Sequence, residues 1–344
     1  MSYQREYTKF LRVAVVGTGS HTYRNLLPTL NYLPVRLVAL CARTNATVET
    51  TAKQYGCAAY TSTKEMYEKE KPDAVFICVS PELHPALVAE ALKYGVHVWV
   101  EKPVAVRAAQ VEELIRLRGE KTVVVGLKKA FAPAAVKARE IANSAKYGGV
   151  SSILAVYPMT IPIDGERQLA ENETPNWLRN GVHPLAFMQS IGGEVKSVTA
   201  LIGESGYGCV SLQFKSGVMG TLHLASNIQP SAERYSVFGE TWQMDINGAR
   251  IELRRQGEFA YNTSTTYAPV GDDSGTIVWD LPNCLATLEN KSEFVQGFFN
   301  EMYHFCDCVL SGKTPEQGSL EQALEIMKVY EAALISLGQP IEIV

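Results

Sequence analysis

The sequence predicts an α/β protein in two parts: a doubly wound parallel sheet over residues 1–126, then an α+β part with a mostly antiparallel sheet over residues 127–344. Three observations carry this. Short apolar runs alternate with helical patterns from Arg12 to Gly126, the rhythm of parallel strands joined by right-handed crossovers. A glycine-rich strand–turn–helix opens the series. Beyond residue 127, strand-like runs follow one another directly, with turn residues between them.

The opening stretch is Arg12 to Pro28, RVAVVGTGSHTYRNLLP. It reads as a buried strand, Val13 to Val16, that breaks at Gly17-Thr18-Gly19 into a helix. Gly17 permits a tight turn and Gly19 lets backbone approach an anion. The free N–H groups past Ser20 and His21 favour a diphosphate. Thr22 stands where G-x-G-x-x-G has its third glycine, so the fingerprint is incomplete, and a plain strand–turn–helix is the competing reading.

Further apolar runs at Val35–Cys41, Asp73–Val79, Val96–Val100 and Thr122–Gly126 predict strands. Asn25–Tyr32, Thr47–Tyr55, Pro85–Tyr94 and Ala108–Arg118 predict the intervening helices. Ligands of such sheets lie beyond the carboxyl ends of the strands, here the loops at Gly17, Cys41, Ser80, Glu101 and Gly126. In the second part, Pro133–Ser144 predicts a helix, Val150–Tyr157 a strand, and Asp164–Asn180 a polar segment. Strands are predicted at Val195–Leu201, Cys209–Phe214, Val218–Ser226, Tyr235–Phe238, Trp242–Ile246 and Ala249–Arg254. Asn247-Gly248 gives the last pair a hairpin turn. Tyr261–Gly275 reads as an exposed loop, and Asn290–Leu310 and Ser319–Leu337 as two closing helices.

Composition narrows the function. Net charge is −4, from 32 basic and 36 acidic residues mixed along the chain, with no basic block to bind nucleic acid. No window approaches the apolar length of a membrane span and MSYQREYTKFLR is not a secretory signal, so a cytoplasmic protein is expected. Seven scattered cysteines fit free thiols rather than a disulfide framework. Cys306-x-Cys308 is too close for C-x-x-C metal geometry, and no two histidines have the i, i+4 spacing of a helical metal pair. No metal is expected.

Several polar residues fall at the predicted strand ends. Lys102, in Glu101-Lys102-Pro103, can present its ammonium to a substrate oxygen that gains alkoxide character; a solvated loop ion pair is the alternative. His183, in Asn180-Gly181-Val182-His183-Pro184, opens a predicted helix Pro184–Ile191. It is placed as a proton donor or acceptor, or simply as a polar cap. His84, in the Ser80-Pro81 loop, faces the cofactor rather than the reaction; His97, His223 and His304 read as structural. Ser20 and Ser80 lack a G-x-S-x-G elbow, against a serine hydrolase. After the second strand, Cys41-Ala42-Arg43-Thr44-Asn45 offers no carboxylate to a ribose 2′-hydroxyl. Arg43, with Thr44, suits a 2′-phosphate, which favours NADP(H) with NAD(H) possible; a surface arginine stacked on adenine is the other reading.

VVGTGSHTYRNLLP, SPELH, EKP and GVHP, in this order and spacing, resemble the Gfo/Idh/MocA oxidoreductases, as does the closing run FFNEMYHFCDCVLSGKTPEQGSLEQALEIMKVYEAAL. The resemblance implies an N-terminal Rossmann domain, a C-terminal domain with a large open sheet, and hydride transfer between nicotinamide and a carbohydrate-like substrate. It implies a homodimer or homotetramer through that sheet. By position, Lys102 contacts the nicotinamide side and the reacting oxygen, and His183 is the general acid or base. Ser80, Pro81, His84 and Glu101 line the cofactor, and Lys129 lies near the substrate. Many members carry an Asp four residues before that His; here the position is Arg179, followed by Asn180. Either Lys102 and His183 suffice, or Arg179 binds an anionic substrate such as a sugar acid or a phosphorylated or nucleotide-linked sugar, or it turns to solvent. Two other functions stay open: an NAD-dependent glycoside hydrolase or eliminase working through transient oxidation, and a non-catalytic cofactor-binding regulator.

Overall fold

The computed structural model describes residues 6–225, 232–256, 275–280 and 291–344. The expected loop Tyr261–Gly275 lies outside them apart from Gly275, as do Cys284, Ser226 and Asn290.

The first sheet holds β1 (Leu11–Val16), β2 (Val35–Cys41), β3 (Ala58–Tyr60), β4 (Ala74–Ile77), β5 (His97–Glu101) and β6 (Val123–Gly126) in the order β3-β2-β1-β4-β5-β6. Every pairing is parallel. The order reverses between β1 and β4, which places the ligand crevice at their carboxyl ends. All four residues of β4 and of β6 are buried, the pattern of strands covered on both faces. Helices α2 (Asn45–Tyr55), α4 (His84–Lys93) and α5 (Ala108–Arg118) lie where the sequence predicts them, within about two residues. The pair β3 and α3 (Thr63–Glu70) is not legible in the pattern. β3 is three half-buried residues, and α3 buries little beyond Met66 and Tyr67. What starts α3 is its cap, Ser62 Oγ accepting from the Glu65 N–H at 3.3 Å.

The second sheet has nine strands: β7 (Val150–Pro158), β8 (Val195–Ile202), β9 (Gly208–Phe214), β10 (Met219–Ala225), β11 (Arg234–Gly239), β12 (Trp242–Asn247), β13 (Arg250–Arg255), β14 (Gly275–Trp279) and β15 (Ile341–Glu342). Their order is β14-β13-β12-β11-β7-β10-β9-β8-β15, antiparallel except for β10 on β7. Asn247-Gly248 does turn β12 into β13, with Gly248 at φ +60°. The short edge strands β14 and β15 carry no signal of their own. Along β10 the burial alternates: Gly220, Leu222 and Leu224 face inward while Met219 and His223 face out.

Two expectations about helices are corrected. The polar segment Asp164–Asn180 contains α8 (Gly165–Ala170) and the first turns of α9 (Asn176–Gly192). Pro184 therefore lies inside a helix, and His183 does not open one. Buried Trp177, Leu178, Val182 and Leu185 supply the apolar face that the polar residues between them disguise. The expected helix Asn290–Leu310 is two pieces, α10 (Ser292–Val295) and α11 (Phe298–Ser311), broken at Gly297 with φ +90°. A Cβ there would stand 2.2 Å from the Lys128 carbonyl oxygen, so only glycine fits this close approach to α6 (Lys128–Phe131).

α11 packs on the first sheet although it lies near the end of the chain. Phe299, Met302, Phe305 and Cys306 join Val13, Val15, Phe76, Trp99 and Val124 in one buried cluster. α12 (Leu320–Ile335) returns across α5, where Glu331 accepts from Arg107 Nε at 2.8 Å. A second cluster runs from the opposite face of the first sheet into the nine-stranded one. Among the described residues no helix is long and apolar enough to cross a membrane. Phe305→Ala, emptying a fully buried site against Phe76, is expected to cost about 3–5 kcal/mol in urea unfolding. A cost below about 1 kcal/mol would mean that α11 does not brace the sheet.

Candidate active site

Gly17 follows β1 with φ +99°, and its N–H donates to the Cys41 carbonyl at 2.8 Å. A Cβ at Gly17 would stand 2.0 Å from the Cys78 carbonyl oxygen, so β1 and β4 approach closely only with glycine here. Nothing lies within 4 Å of the corresponding point on Gly19. The loop is thus closed toward the sheet and open toward the crevice. Beyond it, Thr22–Leu26 forms a π-helical turn leading into α1 (Leu27–Leu30). The wider turn sits where the fingerprint's third glycine is missing, and Thr22 is fully buried there with its hydroxyl unpartnered.

At the end of β5, Glu101 is not in a solvated loop. Its side chain is buried; Oε1 is 2.8 Å from His21 Nε2, and Oε2 accepts the Lys102 N–H at 2.9 Å. Burial pushes the carboxyl up, but the His21 hydrogen bond and the positive charges of His21 and Lys102 outweigh it, and the net shift is downward. Lys102 sends its ammonium away from Glu101, to the Arg179 carbonyl at 3.0 Å. That carbonyl lies one helical turn before His183. Pro184 has no N–H to give the Asn180 carbonyl, so α9 is loosened next to this contact.

His183 is buried, with Nδ1 unpartnered. Burial, then the charges of Lys102, Lys128 and Lys129, hold it well below the ordinary imidazole value, so the ring is neutral at pH 7. Lys129 donates to Glu233 at 2.7 Å. The charges of Lys102 and Lys129 thus both act on the buried His183 ring. Arg179 contributes its backbone; its exposed side chain donates to Thr174 Oγ1 at 2.8 Å, and Asn180 bonds to Asn176.

Ser80 is exposed beside Pro81 at the carboxyl end of β4. His84 departs from expectation: it is fully buried, with Nδ1 2.7 Å from the Pro103 carbonyl oxygen, so it braces the Glu101–Pro103 loop from behind and presents no surface to a ligand. Arg43 and Thr44 are exposed beyond β2, and Arg43 makes no hydrogen bond or ion pair with a described residue. His97 takes the Thr122 N–H at 2.9 Å, a structural role as expected.

Two residues escaped the sequence reading. Lys128 donates to Gln296 at 2.9 Å and lies 4.4 Å over the Phe298 ring; burial and the charge on Lys129 lower its pKa. Glu301 on α11 is fully buried and neither carboxyl oxygen has a hydrogen-bond partner among the described residues. Burial, then the Glu101 charge, hold it protonated well above the ordinary range. A lone acidic residue between Phe298 and Phe305 was the available signal.

An open anion cradle, an ammonium and a neutral imidazole at the carboxyl end of a doubly wound sheet fit a dinucleotide. No group of three or more His, Cys, Asp or Glu that would hold a metal ion occurs among the described residues. The chain is similar to dTDP-3,4-didehydro-2,6-dideoxy-alpha-D-glucose 3-reductase of Streptomyces violaceoruber, at 30% identity over 52% of this chain and 54% of that protein. It thus spans about half the length of that relative. It is also similar to myo-inositol 2-dehydrogenase of Thermotoga maritima, at 26% identity over 63% and 65% of the two chains. An Agrobacterium radiobacter oxidoreductase solved with NAD+, L-tartaric acid and magnesium superposes with a TM-score of 0.78 at 18% identity, over 96% of this chain and 98% of that one, which concerns the fold alone. Residues 11–129 match the NAD-binding Rossmann-fold model of an oxidoreductase family and residues 167–343 match its C-terminal alpha/beta domain model, and the chain belongs to that family, the Gfo/Idh/MocA oxidoreductases.

Proposed function

We propose that the protein transfers a hydride between a nicotinamide cofactor and a CH–OH carbon of a sugar, polyol or related compound. Residues 1–126 hold the cofactor and most of residues 127–344 form the substrate side. The observation that carries this is the Lys102–Arg179 hydrogen bond, which puts the β5 ammonium one turn from His183. When bound, the nicotinamide supplies the hydride donor or acceptor. Lys102 stabilises negative charge on the reacting oxygen. His183, a neutral ring in a buried site, takes the hydroxyl proton in oxidation and returns it in reduction. Glu101 holds the Lys102 backbone N–H and fixes where the ammonium starts. Lys129, paired with Glu233, borders the substrate.

Arg43 supports NADP(H) over NAD(H): an exposed guanidinium without a partner among the described residues, and no carboxylate in the loop after β2. The outward face of the nine-stranded sheet supports self-association, since Leu201 and Met219 are 58% and 48% exposed on it.

Lys102→Ala is expected to lower kcat by about 10²–10³-fold or more while the cofactor Kd moves little. Unchanged turnover would remove Lys102 from the chemistry. Arg43→Asp is expected to move the ratio of NADP(H) to NAD(H) affinity by about 10–100-fold toward NAD(H), the value of one charge-assisted contact. Titration calorimetry giving an unaltered ratio would show that Arg43 does not read the 2′ position. Light scattering on the purified protein is expected to give a dimer or tetramer, and a monomer at micromolar concentration would refute association through the sheet.

A further inference from the structure

We propose that His21 sets how strongly the site prefers the oxidised over the reduced coenzyme, by keeping Glu101 in its carboxylate form. The inference rests on the nicotinamide reading above and assigns a positioning role to a residue of the glycine-rich loop.

His21 is fixed from three sides. Nδ1 faces the Asn25 side-chain amide at 3.1 Å, Nε2 faces Glu101 Oε1 at 2.8 Å, and the Phe298 ring lies edge-on with centroids 5.6 Å apart. Asn25 is anchored in turn, its backbone carbonyl accepting from Thr29 Oγ1 at 2.6 Å. A carboxylate is acceptor-only, so a proton of the imidazole stands on Nε2 and donates to Glu101 Oε1. His21 is thus 41% exposed at the crevice while the carboxyl that it meets is only 8% exposed.

The Glu101 charge is therefore held in a place that opposes it. Burial disfavours the anion, and a second carboxyl, Glu301, adds to the penalty unless it stays protonated. The other charged or titratable groups that act on this position are Lys102, Lys128, His84 and the Cys78 thiol. His21 opposes both penalties through a direct hydrogen bond to the anionic form at 2.8 Å.

The coenzyme's two forms differ by one positive charge on the nicotinamide ring. Contacts to phosphates, riboses and adenine are common to both forms and scale both affinities together. A buried carboxylate near the ring end favours the cationic form selectively, because little solvent screens it. Glu101 terminates β5, on the far side of the β1/β4 switch point from the β2 loop that meets the adenosine end. Without His21, Oε1 loses its donor and only the Lys102 N–H remains on Oε2, so the buried carboxyl is more readily protonated and this selectivity falls.

The experiment is titration calorimetry with NAD+, NADH, NADP+ and NADPH on wild type, His21→Ala, His21→Gln and Glu101→Gln. In His21→Ala and Glu101→Gln the oxidised-to-reduced affinity ratio is expected to fall about tenfold. In His21→Gln, whose amide donor replaces the imidazole N–H, most of the ratio is expected to return. Equal losses for both forms, an unmoved ratio, or a His21→Gln ratio as low as that of His21→Ala would overturn the proposal. If His21→Ala does not fold, Glu101→Gln and His21→Gln decide it. Wild type binding none of the four coenzymes would remove the nicotinamide reading as well; binding with an unmoved ratio removes only the role of His21.

Discussion

The hydrogen bond from Lys102 Nζ to the Arg179 carbonyl ties the two halves of the site together. Lys102 sits where β5 ends, in a loop held from behind by buried His84 on the Pro103 carbonyl. Arg179 lies on α9, the helix that also carries His183. A general acid–base group and an oxyanion stabiliser act on one atom only if their supports share a frame. Here that frame is continuous: α6 and α11 meet at Gly297, α11 packs on the first sheet, and α12 spans α5 and β8.

Around that bond, the buried titratable groups divide according to what touches them. Glu101 has hydrogen-bond donors and its carboxyl is shifted down; Glu301, also buried, has none among the described residues and is shifted well up. Lys128 lies over an aromatic face and near Lys129, and His183 is surrounded by ammonium groups. Burial disfavours the charged form of all four, and at Glu101 the His21 hydrogen bond and the neighbouring positive charges outweigh it beside Lys102.

Most of the first sheet was legible in the sequence because β4 and β6 are buried on both faces and the apolar runs are bounded by turn residues, so that VRLVALC ends at the residue where β2 ends. The loops bearing Gly17, Lys102 and Arg43 followed from strand order alone. What it hid were elements stabilised by few buried residues, such as α3 with its Ser62 cap, and elements whose polar residues mask an apolar face, such as the start of α9. Pro184 misled because a proline after a polar stretch ordinarily opens a helix rather than lying inside one. His84 misled differently: a strand-end position says nothing about which way an imidazole turns, and this one turns inward. Glu301 was unreadable as part of the site because its neighbours come from β5 and α6, some two hundred residues away in the chain.

The position four residues before His183 illustrates the same limit. Reading Arg179 as a side chain suggested either a substrate anchor or a solvent-facing residue, and its guanidinium does face outward to Thr174. The contact that matters is made by its carbonyl, an atom every residue type supplies. With arginine at this position the backbone carbonyl accepts from Lys102 while the side chain supplies no anion beside it. The ammonium of Lys102 is then held in place without being neutralised, beside Lys128, while Lys129 is balanced by Glu233. For the hydride transfer proposed above this matters, because a lysine restrained by a dipole offers more of its charge to an alkoxide than one paired with a carboxylate.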